Sequence, residues 1–118
     1  MKKATEVLSK IAALDGVRAV VLVSGDGFPL ESVIKDEALN AEEVAALARD
    51  GAAAAREMVE EMEQGQFVQG VFEYSKGTVL LTNLPLRMTM AVVMSRGGNK
   101  AALWNAAATA FPEVVRAL

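Results

Sequence analysis

The sequence predicts an α+β fold: one five-stranded antiparallel sheet with three helices, ordered helix-strand-strand-helix-strand-strand-strand-helix. Three observations carry this. Apolar spacing switches repeatedly between a helical period and near-continuous runs rich in β-branched residues. Two glycine-bearing turns, Gly25-Asp26-Gly27 and Ser75-Lys76-Gly77, each separate two strand-like runs. No linker, repeat or low-complexity tract divides the 118 residues. That length suits one core, so residues 1–118 read as a single domain.

Each element has a local reason. Ala4, Val7, Leu8, Ile11 and Leu14 fall at helical spacing, and Gly16 can supply the left-handed stop. Val17 to Ser24 is almost wholly apolar, as in a strand buried on both faces. Phe28 to Val33 returns as its partner, and Pro29, lacking an N–H, places that strand at a sheet edge. Asn40 caps the long middle helix, with Glu43 three residues on. That helix runs to about Met62, and Gly65 ends it. Phe67–Tyr74 and Thr78–Leu84 form the second hairpin. Pro85-Leu86-Arg87 then turns the chain into the last strand, Met88–Ser95. Asn99 caps a final helix whose expected face is Trp104, Ala107, Ala108, Phe111, Val115 and Leu118. Pro112 is expected to kink or break that helix, since it removes a hydrogen bond to Ala108.

Composition narrows function. There is no cysteine and no histidine. Disulfides, cysteine nucleophiles, Ser–His relays, zinc fingers and imidazole acid–base catalysis are therefore excluded. Twelve basic and fifteen acidic side chains leave a net charge of −3, which gives no electrostatic draw toward nucleic acid or anionic membrane. The start of the chain resembles a signal peptide only in Lys2 and Lys3, because Glu6, Lys10 and Asp15 interrupt the apolar stretch such a peptide needs. No run reaches the roughly 18 apolar residues of a spanning helix. The expectation is a soluble, cytoplasmic protein without membrane insertion. Its apolar fraction is 53%, somewhat above the usual share, which implies surface left over for a partner.

The middle helix is the most informative segment. On a helical wheel, Val44, Leu47, Ala48, Gly51, Ala52, Ala54, Ala55, Met58, Val59 and Met62 fill an arc of roughly 160°. A helix lying on one sheet needs only about 100°. One explanation is that alanine is the best helix former. The other is that the helix packs on its own sheet and also on a second copy of itself, as two-fold symmetry favours. The third strand tells the same story, since an edge carrying Phe67, Val68, Val71 and Phe72 invites aggregation unless another strand covers it. The candidate pairing residues are therefore Leu47, Gly51, Ala54, Ala55, Met58, Met62, Phe67, Val68 and Val71. The opposite arc carries Glu42, Glu43, Arg49, Asp50, Arg56, Glu57, Glu60, Glu61 and Glu63. Such a run is a solvated face or a docking surface, with Arg49, Arg56, Glu57 and Glu60 as the candidate partner contacts. Arg56 and Glu60, four residues apart, are spaced for a surface ion pair.

Other candidates for chemistry are weak. Ser24-Gly25-Asp26-Gly27 lacks the alternating acids of a calcium loop. Gly97-Gly98-Asn99-Lys100 faintly resembles a phosphate cradle but lacks its full spacing, so a strand-to-helix loop is the better reading. No serine sits in a nucleophile elbow. Met58, Met62, Met88, Met90 and Met94 suit core or interface rather than metal. No metal or cofactor is expected.

The run from Val7-Leu8 through Ile11, Leu14-Asp15-Gly16-Val17 and Val20-Val21-Leu22-Val23 to Gly25-Asp26-Gly27-Phe28-Pro29-Leu30 resembles the opening of the roadblock/dynein light chain family. Gly65 to Gly70, Lys76-Gly77-Thr78-Val79-Leu80-Leu81, Met90-Ala91-Val92-Val93 and Gly98-Asn99 extend the resemblance over nearly the whole chain. It implies a profilin-like roadblock fold, with the middle helix on one sheet face and the terminal helices on the other. It also implies a non-enzymatic module that dimerises through the middle helix and third strand. Prokaryotic members, which this compact chain resembles more, often act beside a Ras-like small GTPase, as one gliding-motility protein stimulates its polarity GTPase. The family shares no catalytic residues. The implied function is a homodimeric regulator or scaffold for such a GTPase. The alternative is a structural light-chain subunit of a motor or surface-motility complex. If hydrolysis is stimulated, the routes are ordering of the GTPase's switch loops, which is favoured, or insertion of Arg49, Arg56 or Arg96.

Overall fold

Apolar runs separated by tight turns leave neighbouring segments of this chain little choice but to pair as antiparallel hairpins. The computed structural model describes residues 4–117. Its elements are α1 (Ala4–Ala12), β1 (Val17–Val23), β2 (Pro29–Ile34), α2 (Ala41–Met62), β3 (Gln69–Tyr74), β4 (Gly77–Asn83), β5 (Thr89–Ser95) and α3 (Lys100–Ala117). A short 3-10 turn, Pro85–Arg87, joins β4 to β5. The element order is the one predicted, and every strand pairs antiparallel in the sequence β2-β1-β5-β4-β3. The strand bearing Pro29 lies at one edge, as its missing donor requires. β3 lies at the other.

The caps follow the sequence closely. Asn40 Oδ1 accepts from the N–H groups of Glu42 and Glu43 at 2.9 and 3.1 Å, satisfying two donors left open at the start of α2. Asn99 Oδ1 accepts from Ala102 N–H at 3.0 Å at the start of α3. α2 does end at Met62, but the left-handed residue that stops it is Glu63 (φ 54°), two positions before Gly65.

The sheet has two distinct faces. Val20, Leu22, Leu80, Met90 and Val92 point to one, where they pack with Val7, Leu8 and Ile11 of α1 and with Leu103 and Val114 of α3. Val21, Val23, Leu81 and Ala91 point to the other, beneath α2. The middle helix thus takes one face and the terminal helices the other.

Two expectations for α3 need correction. Its buried stripe is Leu103, Ala107, Ala110 and Val114, while Trp104 is 45% exposed and Phe111 and Val115 are only partly buried. The helix carries two apolar stripes about 100° apart. The one with alanines at its middle is turned inward, where α1 and the sheet both crowd it. Leu118 lies outside the described residues, as do Lys2 and Lys3. Pro112 does not end the helix, which continues to Ala117; the proline forfeits one hydrogen bond and the packed face on either side holds.

Candidate interaction surface

α2 divides its broad apolar arc in two. The residues facing its own sheet are small: Ala45, Ala48, Ala52 and Ala55 are buried, flanked by half-buried Val44 and Val59. Short side chains let the helix axis settle low on β1 and β5. Gly51 belongs partly to this contact, because a Cβ there would stand 3.1 Å from Leu81 Cδ1. The large apolar residues instead face outward. Leu47 is 71% exposed, Met58 59% and Met62 54%, with Ala54 exposed between them. Leaving four such residues together in water is costly for a lone chain.

Because α2 lies over β1 and β5, the β3–β4 side of that face is left uncovered. Phe72 and Val79 stand opposite each other in the β3–β4 ladder, and Tyr74 and Leu81 extend the same face. With Leu39, Val44, Leu47 and Gly51 they enclose an apolar hollow of about 370 Å³. Arg18 stands at its rim, with Nη1 3.5 Å from Tyr74 Oη, at the outer limit of a hydrogen bond. Leu39, Tyr74 and Val79 are not among the candidates the sequence singles out. The alternation of Gly70, Phe72 and Tyr74 against Val79 and Leu81 is the signal that locates them.

The nine candidate pairing residues therefore separate. Leu47, Ala54, Met58 and Met62 are exposed on the outward face of α2, and Val68 is exposed just before β3. Ala55 and Phe67 are a correction: at 8% and 7% exposure they belong to this chain's own core. Phe67 precedes β3 and folds under α2 instead of standing on the strand. Val71 pairs with Leu80 and so faces the α1–α3 side of the sheet, 40% exposed on the edge strand.

The charged arc also differs from expectation at one position. Arg56 makes no ion pair with Glu60 among the described residues. Its Nε and Nη2 donate to Asn83 Oδ1 at 3.0 and 2.7 Å, and Nη2 also reaches Met88 O and Thr89 Oγ1, each at 3.3 Å. On the wheel Arg56 lies only about 20° beyond Ala45, so its stem follows the alanine stripe inward. Burial, and then the neighbouring Arg87, lower its pKa from the ordinary value. A guanidinium nevertheless stays charged in a folded protein. Arg56 thereby pins α2 to the ends of β4 and β5. Arg49 is exposed, paired with Asp50 at 2.9 Å, and lies close over Gly27 of the β1–β2 turn. Glu57 and Glu60 are exposed on the solvent side of α2. Arg96 sits in the exposed loop before α3, and Nη1 donates to Ser75 O at 3.4 Å. No group of three metal-ligating side chains is found among the described residues. Nor is any described helix long and apolar enough to cross a membrane.

A helix-faced antiparallel sheet with an apolar second helix surface and an open edge strand defines a class of small α+β domains. The sequence profile of the Roadblock/LC7 domain matches residues 3–94, and the chain belongs to that family. No match is found among curated proteins. In fold the chain is similar to Myxococcus xanthus MglB, with a TM-score of 0.86 at 16% identity over 96% of this chain and 85% of that one. It is similar also to the gliding protein MglB of Thermus thermophilus, with a TM-score of 0.84 at 18% identity over 97% and 87%. A Roadblock/LC7 domain from Streptomyces avermitilis gives 0.83 at 21% identity over 96% and 95%. The fold is thus the profilin-like roadblock fold that the sequence predicts.

Proposed function

We propose that this chain is a homodimeric, non-enzymatic regulator or scaffold that binds a Ras-like small GTPase. The observation that carries the dimer is the outward strip of Leu47, Ala54, Met58 and Met62 beside an apolar hollow and an unpaired edge strand. A second α2 laid antiparallel against the first would cover the strip. β3 meeting its symmetry mate would satisfy the free edge and extend the sheet across both protomers. The GTPase partner rests on membership of the Roadblock/LC7 family and on likeness to the MglB gliding proteins. In this reading the dimer supplies a rigid platform and no catalytic side chain. Any stimulation of hydrolysis comes from favouring one arrangement of the GTPase's switch loops. The tethering of Arg56 supports this, because withdrawing it into a nucleotide site would leave Asn83 without its cationic partner.

Light scattering at tens of micromolar, a concentration that captures even modest pairing, is expected to give a dimer. Ala54→Glu is expected to give a folded monomer, since the position is exposed and only pairing would bury the new charge. A monomeric wild type overturns the dimer. For the partner, binding to a Ras-like GTPase from the source cell is measured in both nucleotide states, with single-turnover hydrolysis for Arg49→Ala, Arg56→Ala and Arg96→Ala. Loop ordering predicts changes of a few-fold. A loss near a thousandfold from one arginine, with binding intact, would instead show an inserted arginine. No binding in either state would favour the structural-subunit alternative.

A further inference from the structure

The turn between β4 and β5 holds a conformation its residues resist. Leu86 and Arg87 are both left-handed, with φ of 62° and 60°. Side chains disfavour that region because Cβ crowds the neighbouring carbonyl, and two such residues in succession persist only where the surroundings hold them. Here Leu84 N–H donates to Met88 O at 2.9 Å and Met88 N–H to Pro85 O at 3.2 Å, which fixes the turn from both ends. The consequence is chemical. Arg87 is carried to the same hollow that Arg56 lines.

Both arginines line a hollow of about 280 Å³ together with Glu60, Gln66 and Phe67. Nε and Nη2 of Arg56 are engaged by Asn83, Met88 and Thr89, which aims the guanidinium and leaves Nη1 without a hydrogen bond among the described residues. Arg87 has neither hydrogen bond nor ion pair among them. Two arginines against one glutamate leave the lining with one positive charge to be matched. A carboxylate matches it; a phosphate dianion would overshoot. The planar fork of a guanidinium also suits the two oxygens of a carboxylate. Leu86, 88% exposed beside the arginines, offers an apolar contact to whatever carries that group.

We propose that the hollow between the C-terminal half of α2 and the β4–β5 turn is a carboxylate-binding site. Arg87 and Nη1 of Arg56 grip the oxygens, the Gln66 amide is a third donor, and Leu86 meets the adjoining apolar part of the ligand. The carrier is a free small acid or a glutamate side chain on a protein partner, which present the same group. The site goes beyond the dimer and GTPase reading. It shares Phe67 with the candidate pairing residues and Arg56 and Glu60 with the candidate partner contacts, but it is argued from the hollow's own lining and stands whether or not that reading holds.

The test follows the side-chain Nε–H signals of Arg56, Arg87 and Arg49 in the ¹⁵N-labelled full chain by NMR. Sodium acetate, sodium phosphate, sodium chloride and the peptide acetyl-Leu-Glu-Leu-amide are titrated at matched ionic strength. Acetate is expected to shift Arg56 and Arg87 saturably, with Arg49 unmoved and chloride without saturation. A peptide that half-saturates at least tenfold below acetate identifies a protein glutamate as the carrier; one that does not identifies a free acid. Arg87→Ala, in an exposed turn, is expected to keep the melting temperature and abolish saturation at Arg56. Arg87→Lys should retain binding weakened several-fold. Saturation that survives Arg87→Ala, shifts equal to those from chloride, or tighter saturation by phosphate than by acetate would each overturn the proposal.

Discussion

On one face of the sheet, Leu8, Ile11 and Leu103 close over Leu22, Leu80 and Met90, all at 2% exposure or less. On the other, α2 meets Val21, Val23 and Ala91 with four alanines and keeps Leu47, Met58 and Met62 outside. The first face gains its hold from volume. The second gains little area per residue, roughly a methyl group at a time, and adds the Arg56–Asn83 contact as a fastening. The difference teaches where each face spends its apolar side chains. The α1–α3 face uses them to fold the chain, and the α2 face leaves its largest ones exposed.

The largest expected effect comes from removing volume on the closed face. Leu8 is fully buried, and Leu8→Ala is expected to cost about 2–5 kcal/mol by chemical denaturation, transfer loss and cavity together. Leu47→Ala, the same deletion at a residue 71% exposed, is expected to stay within about 0.5 kcal/mol in dilute, monomeric protein. If the two losses proved equal under those conditions, the contrast between the faces would collapse.

A middle-sized effect probes closeness instead of volume. Ala52 is wholly buried under α2. Ala52→Leu has no room there and is expected to lift the helix, costing about 1–3 kcal/mol. Lifting α2 would also tilt the outward strip, so pairing measured by light scattering should weaken along with stability. Ala52→Gly separates the two, since it adds no bulk and costs roughly the helix-propensity difference of 1 kcal/mol plus the lost methyl. An Ala52→Leu variant as stable as the wild type would mean that α2 does not sit as low as its alanines imply.

How much of this is legible in the sequence follows from the same contrast. Element order, the caps at Asn40 and Asn99 and the edge position of the Pro29 strand rest on local chemistry, and all three are found. The width of the α2 arc is legible too. Its division is not, because a wheel gives angles and says nothing of which half meets the sheet. Ala55 and Phe67 read as outward and lie inside, and the side of the sheet that Val71 takes is not legible either, since strand parity counts from a register that only the fold sets. Arg56 reads as solvent-facing because it is charged, and its position one step from the alanine stripe is the sign that points inward. The left-handed pair at Leu86 and Arg87 has no sequence signal, as neither is a glycine.

The smallest expected effect concerns the rim of the open face. Arg18 Nε and Nη2 donate to Asp36 Oδ2 at 2.8 and 2.7 Å, and Ala38 N–H donates to Asp36 Oδ1 at 2.9 Å. The Ala38 N–H first, and Arg18 after it, hold the Asp36 carboxyl below the ordinary carboxylate range. A carboxyl whose folded pKa is depressed stabilises the fold fully above its unfolded pKa, near 3.9 for aspartate. That stability is lost as pH falls through the folded pKa, because the unfolded chain takes up the proton first. The window therefore opens at about pH 4 and extends downward, with nothing expected between pH 6 and 8. Asp36→Asn can still accept from Ala38 but carries no charge to titrate. Its stability should fall less steeply than the wild type's below about pH 4 and run parallel above it. Thermal melts at half-unit pH steps read the slopes. Because Arg18 also reaches toward Tyr74 at the hollow, the same variant should loosen that rim and leave Leu8 and the closed face as protected from hydrogen exchange as before. Parallel acid limbs in the two proteins would show that Asp36 does not titrate in this range. Loss of protection around Leu8 would show that the two faces do not respond separately.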